Sequence, residues 1–211
     1  LNIAKEIKER GKDSIFISNS YEGNINNEIK KYFKVLELPK KKINLKKKDF
    51  YKKNINQLYK DWLGCEEEED AMNSLDLILK LKNLTIDWII IDHYSLGEIW
   101  EKTMKKGLKI KNENIKIFVI DDLFNRKHFC EILLNQNYFS NKNLDKFKNL
   151  LNLDSKLLIG PHYALLGKDY YGIKNLNKKS KQIKRILIYF GGVENSIHNK
   201  VLESISEKKF S

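Results

Sequence analysis

The sequence predicts an open, parallel α/β sheet with helices covering it, and three observations predict it. Short apolar runs recur along the whole chain, among them "SIFIS", "IKIFVI" and "RILIYF". These runs are continuous rather than alternating, as expected of strands covered on both faces. Helix-like segments separate them, the spacing that right-handed crossovers between parallel strands require.

Taken in order, Leu1, Ile3, Ala4 and Ile7 share one helical face, and Gly11 is a stop signal. Ser14–Ser18 reads as a strand, "NINNEIKKY" as a short helix, and "FKVLEL" as a strand ending at Pro39. Residues 40–49 form a Lys-rich loop. Helices are expected over Phe50–Leu63 and Asp70–Leu81, joined by the acidic run Glu66–Asp70. Trp88–Ile91 reads as a fully buried strand, and Leu96–Lys105 as a helix. Further strands are expected at Ile115–Ile120, within "CEILLNQ", and at Ser155–Gly160, with helix over Leu144–Leu151. "RILIYF" (Arg185–Phe190) is a strand followed by Gly191-Gly192 and a helix from about Asn195, a Rossmann-like opening. The polar stretch before it reads as a linker. The expected organisation is a first domain at 1–171, a linker at 172–184, and the start of a second domain at 185–211. A doubly wound domain normally begins with a strand, whereas this chain begins with a helix. The reading is therefore a fragment of a two-domain protein.

Composition narrows the function classes. Hydrophobic residues make up 41% of the 211 residues and charged residues 32%, enough apolar content to bury a core. No apolar run approaches a membrane span, so no membrane insertion is expected. Cys65 and Cys130 form no C-x-x-C pair, which argues against a disulfide framework or zinc knuckle and for a reducing, cytoplasmic setting. The net charge of +12 comes almost entirely from Lys rather than Arg, whose planar fork reads nucleic acids. The Lys runs and the run "EEEED" read as solvated surface. No nucleic-acid partner and no cofactor or metal is expected.

In open α/β sheets ligands bind beyond the carboxyl ends of the strands. That rule selects Asp92-His93-Tyr94, Asp121-Asp122, Asn135-Gln136-Asn137, Gly160-Pro161-His162-Tyr163 and Gly191-Gly192. Each has a plain structural alternative. Asp92 can cap the following helix, His93 can be a hydrogen-bonded loop residue, and Tyr94 can be core with only its hydroxyl exposed. An acidic pair such as Asp121-Asp122 can hold a metal through oxygen, yet such pairs are common at strand ends. His128, His162 and His198 have no metal-ligand spacing. Gly191-Gly192 before a helix can cradle a phosphate, but neither G-x-G-x-x-G nor a Walker motif is present.

Five blocks occur in a distinctive order: "WLGCEEEEDA", "DWIIIDHYSL", "VIDDLFNRKHFCEILLNQN", "LLIGPHYALL" and "RILIYFGGVEN". In that order and spacing the chain resembles the UDP-2,4-diacetamido-2,4,6-trideoxy-β-L-altropyranose hydrolases of pseudaminic acid biosynthesis. The resemblance implies a glycosyltransferase-B type fold, two Rossmann-like domains facing across a cleft, with the second domain truncated here. It implies a UDP-sugar substrate and water attack at the anomeric carbon. The family's opening G-x-G-H-x-x-R loop, whose histidine serves as general base, is not among these residues. On that reading residues 1–211 alone are inactive. The resemblance places Tyr94 against the sugar or the attacking water, with His93 and Asp92 fixing the loop. It makes Asp122, Asn137 and Tyr163 cleft residues, and gives the diphosphate to Gly191, Gly192 and Asn195. One departure stands out: Val193 and Glu194 occupy positions where the family carries Ser or Thr and then Asp. The alternatives are a glycosyltransferase of the same fold, or a non-catalytic polyanion-binding protein. Oligomeric state is not legible in the sequence.

Overall fold

The computed structural model describes residues 1–21, 23–39, 59, 61–139, 148–152, 154–171, 186–188 and 197–206. They fall into two compact units, Leu1–Gly167 and Lys168–Ser211. The first unit is α/β with every strand pair parallel. Its elements run α1 (Asn2–Glu9), β1 (Ile15–Asn19), α2 (Asn26–Lys30), β2 (Lys34–Leu38), α3 (Glu67–Leu79), β3 (Trp88–Asp92), α4 (Glu98–Gly107), β4 (Lys116–Ile120), β5 (Ile132–Asn135) and β6 (Lys156–Ile159). A 3-10 turn, Pro161–Tyr163, follows β6. In the second unit the described elements are the 3-10 turn Lys168–Tyr170 and α5 (Ile197–Ser206).

The strands form two sheets rather than one. β1 pairs with β2, and β3, β4, β5 and β6 pair in that order. No ladder joins β1 to β3 among the described residues. Even so, Ile17 of β1 packs against the core of the larger sheet. Sequence patterning reports which residues want burial, and says nothing about which edges pair.

The larger core lies between the four-stranded sheet and the α3–α4 pair. Met104 and Leu108 of α4 meet Ile117 and Val119 of β4, all with no measurable exposure. Burial of each such side chain contributes about 1.5–3 kcal/mol. Ala71, Leu75 and Ile78 supply the facing stripe of α3. A smaller cluster of Ala4, Ile29 and Phe33 packs with Phe16 and Val35 between the first two helices and the small sheet.

Two expectations are corrected here. Strand β3 is not fully buried: Trp88 and Ile90 are 41% and 39% exposed, while Ile91 is buried. Strand side chains alternate between faces, and only one face of β3 meets the main core. The acidic run is not a solvated turn either. It forms the first turn of α3, where negative charge opposes the helix dipole favourably. Asp70 is buried and accepts a 3.0 Å hydrogen bond from Trp100 Nε1. Glu67 accepts from the backbone N–H of Gly97 at 2.9 Å, at the start of α4. That carboxylate, not Asp92, caps α4.

The remaining sequence-predicted elements fall as follows. Tyr59 and residues 61–63 are helical, as expected, and the rest of 40–58 lies outside the described residues. Of the helix expected at Leu144–Leu151, residues 144–147 lie outside the described residues and Lys148 is helical, while Leu151 makes an isolated bridge to His128, whose N–H donates to the Leu150 carbonyl. Residues 186–188 carry no strand, and the rest of "RILIYF" is not described. The expected linker at 172–184 also lies outside the described residues.

The Asp70–Trp100 bond sets a stability expectation. Trp100→Phe removes the indole donor to a buried carboxylate and should cost about 1.5–3 kcal/mol, the range for a hydrogen bond to a charged group. Urea unfolding monitored by circular dichroism measures it, and a midpoint equal to that of the parent protein would contradict the assignment.

Candidate functional site

Strand β3 delivers Asp92 to the carboxyl edge of the larger sheet, and residues 93–97 turn directly into α4. The turn is short because its polar groups are bonded locally. Ser95 N–H donates to His93 Nδ1 at 3.0 Å, and the Ser95 hydroxyl donates to the carbonyl of Tyr59. Gly97 is needed where the chain passes the 121–131 segment. A Cβ there would sit 3.1 Å from the Lys127 carbonyl oxygen and 3.5 Å from Arg126 Cδ.

The turn borders a pocket of about 210 Å³ lined by Trp62, Asp92, His93 and Tyr94. Its aromatic wall is continuous. The Tyr94 and Tyr59 rings lie 4.9 Å apart, and Tyr59 meets Trp62 edge-on at 5.0 Å. Such centroid distances fall in the favourable range for aromatic pairs. An apolar wall with a few convergent polar groups is the ordinary form of a small-molecule site.

Protonation limits what each group does. Burial, then the neighbouring Asp122 and Tyr59, push the Tyr94 phenol above its ordinary pKa, so it stays protonated and able to donate. Desolvation raises the Asp92 carboxyl, and the charge of Asp122 adds to the rise. Asp92 therefore stays protonated to a higher pH than an ordinary carboxyl, although its surface is largely open. With Nδ1 of His93 accepting from the Ser95 N–H, the ring proton is placed on Nε2.

Beneath the pocket lies a buried ionic chain that sequence reasoning did not find. Glu101 of α4 faces His128 Nδ1 at 2.6 Å, and His128 Nε2 stands 3.5 Å from Asp121 Oδ2. Asp121 Oδ1 accepts from Arg126 Nη1 at 2.9 Å. Glu101, Asp121 and His128 are all buried. With His128 protonated the four charges cancel, which is the condition for keeping ions out of water. Burial alone would lower the His128 pKa, but Asp121 and Glu101 outweigh it and raise it. Burial alone would raise Asp121, but His128, Arg126 and the Leu123 amide bring it below its ordinary value. The only signal in the sequence is opposite charges crowded into "DDLFNRKH". Nothing in it says that Glu101, facing inward on α4, completes the set.

Of the sequence-predicted site residues, Asp92, His93 and Tyr94 line the pocket, and Asp122 acts on two of them through its charge. Asn137 and Tyr163 follow β5 and β6, two and three strands from β3. At about 4.8 Å per strand they share the edge but not the pocket. Asn137 is exposed and its N–H bonds to Asn135 Oδ1 at 2.8 Å. Tyr163, 45% exposed, belongs to the 3-10 turn after β6. Gly191, Gly192 and Asn195 lie outside the described residues, as do Val193 and Glu194. Trp62, which lines the pocket, and Tyr59, which packs against Trp62 and Tyr94, were missed, because a helix far back in sequence supplies them. Cys130 is buried and its thiol is pushed up to about 12, so it is inert at neutral pH. Among the described residues no cluster of His, Cys, Asp and Glu is arranged to hold a metal, and no helix is long and apolar enough to cross a membrane.

No family model matches the chain, and no curated protein matches it.

The ionic chain makes stability pH-dependent in both directions. His128, raised in the fold, contributes fully below its unfolded value of about 6.5 and loses that contribution as pH climbs through the folded value. Asp121, depressed in the fold, contributes above its unfolded value of about 3.9 and loses it as pH falls through the folded one. His128→Gln should remove the alkaline limb and cost about 3–5 kcal/mol, because it takes away the cation between two buried carboxylates. Unfolding free energies across pH 3–10 read both limbs; a His128→Gln profile that keeps the alkaline limb would contradict the assignment.

Proposed function

We propose that this chain forms the sugar-facing part of a nucleotide-sugar hydrolase. The reaction is release of UDP from UDP-2,4-diacetamido-2,4,6-trideoxy-β-L-altropyranose by water attack at the anomeric carbon, as in pseudaminic acid biosynthesis. The observation that carries the proposal is the pocket at the end of β3, lined by the Trp62 and Tyr94 rings, a carboxyl and an imidazole, with Tyr59 packed against both rings. The five ordered sequence blocks support it independently.

In this reading the aromatic wall packs against the apolar face of the sugar ring and excludes water from it. Asp92 accepts from a sugar hydroxyl or acetamido N–H. Tyr94, kept protonated, donates to the attacking water or to an oxygen at the reacting centre, fixing geometry rather than taking a proton. His93 holds the turn through Ser95. The resemblance assigns the base to a histidine that residues 1–211 do not include, and the diphosphate to Gly191, Gly192 and Asn195.

The deciding assay is UDP release by protein expressed from its intact reading frame, without an acceptor. Tyr94→Phe should lower kcat about 100-fold, the usual loss for one well-placed donor. Absence of free sugar with every UDP-diacetamido sugar would overturn the proposal. Turnover that depends on an acceptor would replace it with a glycosyltransferase.

A further inference from the structure

We propose that Arg126 is the positioning residue of this pocket, its guanidinium fork holding the turn that carries His93 and Tyr94. Arg126 Nη2 donates to the His93 carbonyl at 2.9 Å, and Nε donates to the Leu96 carbonyl at 2.7 Å. These two acceptors bracket Tyr94 and Ser95, so the fork fixes both ends of the segment that presents the phenol. The third nitrogen, Nη1, donates to Asp121 Oδ1 at 2.9 Å and to Asn125 Oδ1 at 3.1 Å. All three guanidinium nitrogens are thus committed, and the side chain is only 15% exposed.

The fork is itself aimed from below. Asp121, fully buried, also accepts from the backbone N–H groups of Leu123 and Phe124, at 3.3 and 3.1 Å. Phe124 takes a φ of 48°, a left-handed conformation costly for an aromatic residue and retained where surrounding bonds over-determine it. The His128 ring, itself paired with Glu101, stands against Asp121 from the other side and keeps it in place. The chain from Glu101 to Arg126 therefore ends on the pocket turn and not within the core. Lys cannot replace Arg here, because a single ammonium cannot span acceptors three residues apart while also meeting a carboxylate. Arg126 touches no substrate in this scheme and acts through Tyr94. The proposal relies on the hydrolase reading for its kinetic readout alone.

The test combines NMR with kinetics. In the unaltered protein the Arg126 Nε–H should exchange slowly and show cross-relaxation to the 93–96 turn. A fast-exchanging Nε–H would overturn the proposal without any variant. Arg126→Lys should keep a cooperative unfolding transition while moving the Tyr94 and Ser95 amide signals and the Trp62 indole signal. It should lower kcat about 10- to 100-fold, the loss expected from misplacing a reacting group by about 1 Å. KM should stay within about threefold, since binding contacts remain. A folded Arg126→Lys protein with unmoved pocket signals would overturn it, as would equal loss in stability and none in kcat. If the parent protein turns over no UDP-sugar, the hydrolase reading fails while the NMR arm still decides the role of Arg126.

Discussion

The carboxylate of Asp121 is the constraint on which the pocket depends. It sits at the end of β4, buried, and gathers two backbone amides, an arginine and a histidine around one group. The segment from Asp121 to Glu131 joins two parallel neighbours, β4 and β5, with no helix to do it. Most such crossovers use a helix whose backbone satisfies itself. Here a side-chain carboxylate and the backbone of neighbouring segments supply the missing partners. Glu101 accepts the Phe129 N–H, His128 donates its backbone N–H to Leu150, and Lys127 offers its carbonyl to Glu98.

That solution links layers usually described apart. Glu101 belongs to the helix covering the sheet, Asp121 to the sheet edge, and Arg126 to the loop between strands. Because the charges must balance to stay buried, none of these residues is adjustable alone. The same network leaves the pocket turn with rigid ends and an exposed middle, where Tyr94 is 42% exposed. Rigidity at the ends and access in the middle is what a site on a loop needs. The acidic first turn of α3 plays the parallel role on the other side, with Glu67 fixing the start of α4 and Asp70 fixing Trp100.

Much of the strand and helix pattern was legible, because periodicity reports burial directly. The segments now seen as α1, β1, β2, α4, β4 and β6 were each found within a few residues. Parallel pairing followed from continuous apolar runs. The acidic run was misread for a physical reason: five carboxylates in a row look solvated, yet one helical turn sends Glu68 and Glu69 outward and Asp70 inward. Trp88 and Ile90 were misread in the opposite sense, since an edge strand exposes apolar residues that a central one would bury.

Sequence alone determined the parallel α/β class, and it singled out the carboxyl edge and Asp92-His93-Tyr94 as the candidate site. Local order sufficed for these, because strand termini and polar residues are adjacent in the chain. Tertiary structure decided what surrounds that centre. Tyr59 and Trp62 arrive from a helix some thirty residues back, and Asp121, Arg126 and Glu101 converge from three separate elements. It also decided that His93 is engaged through Nδ1 and that Tyr94 keeps its proton. Protonation and reach depend on neighbours in space, and the order of residues carries no record of them.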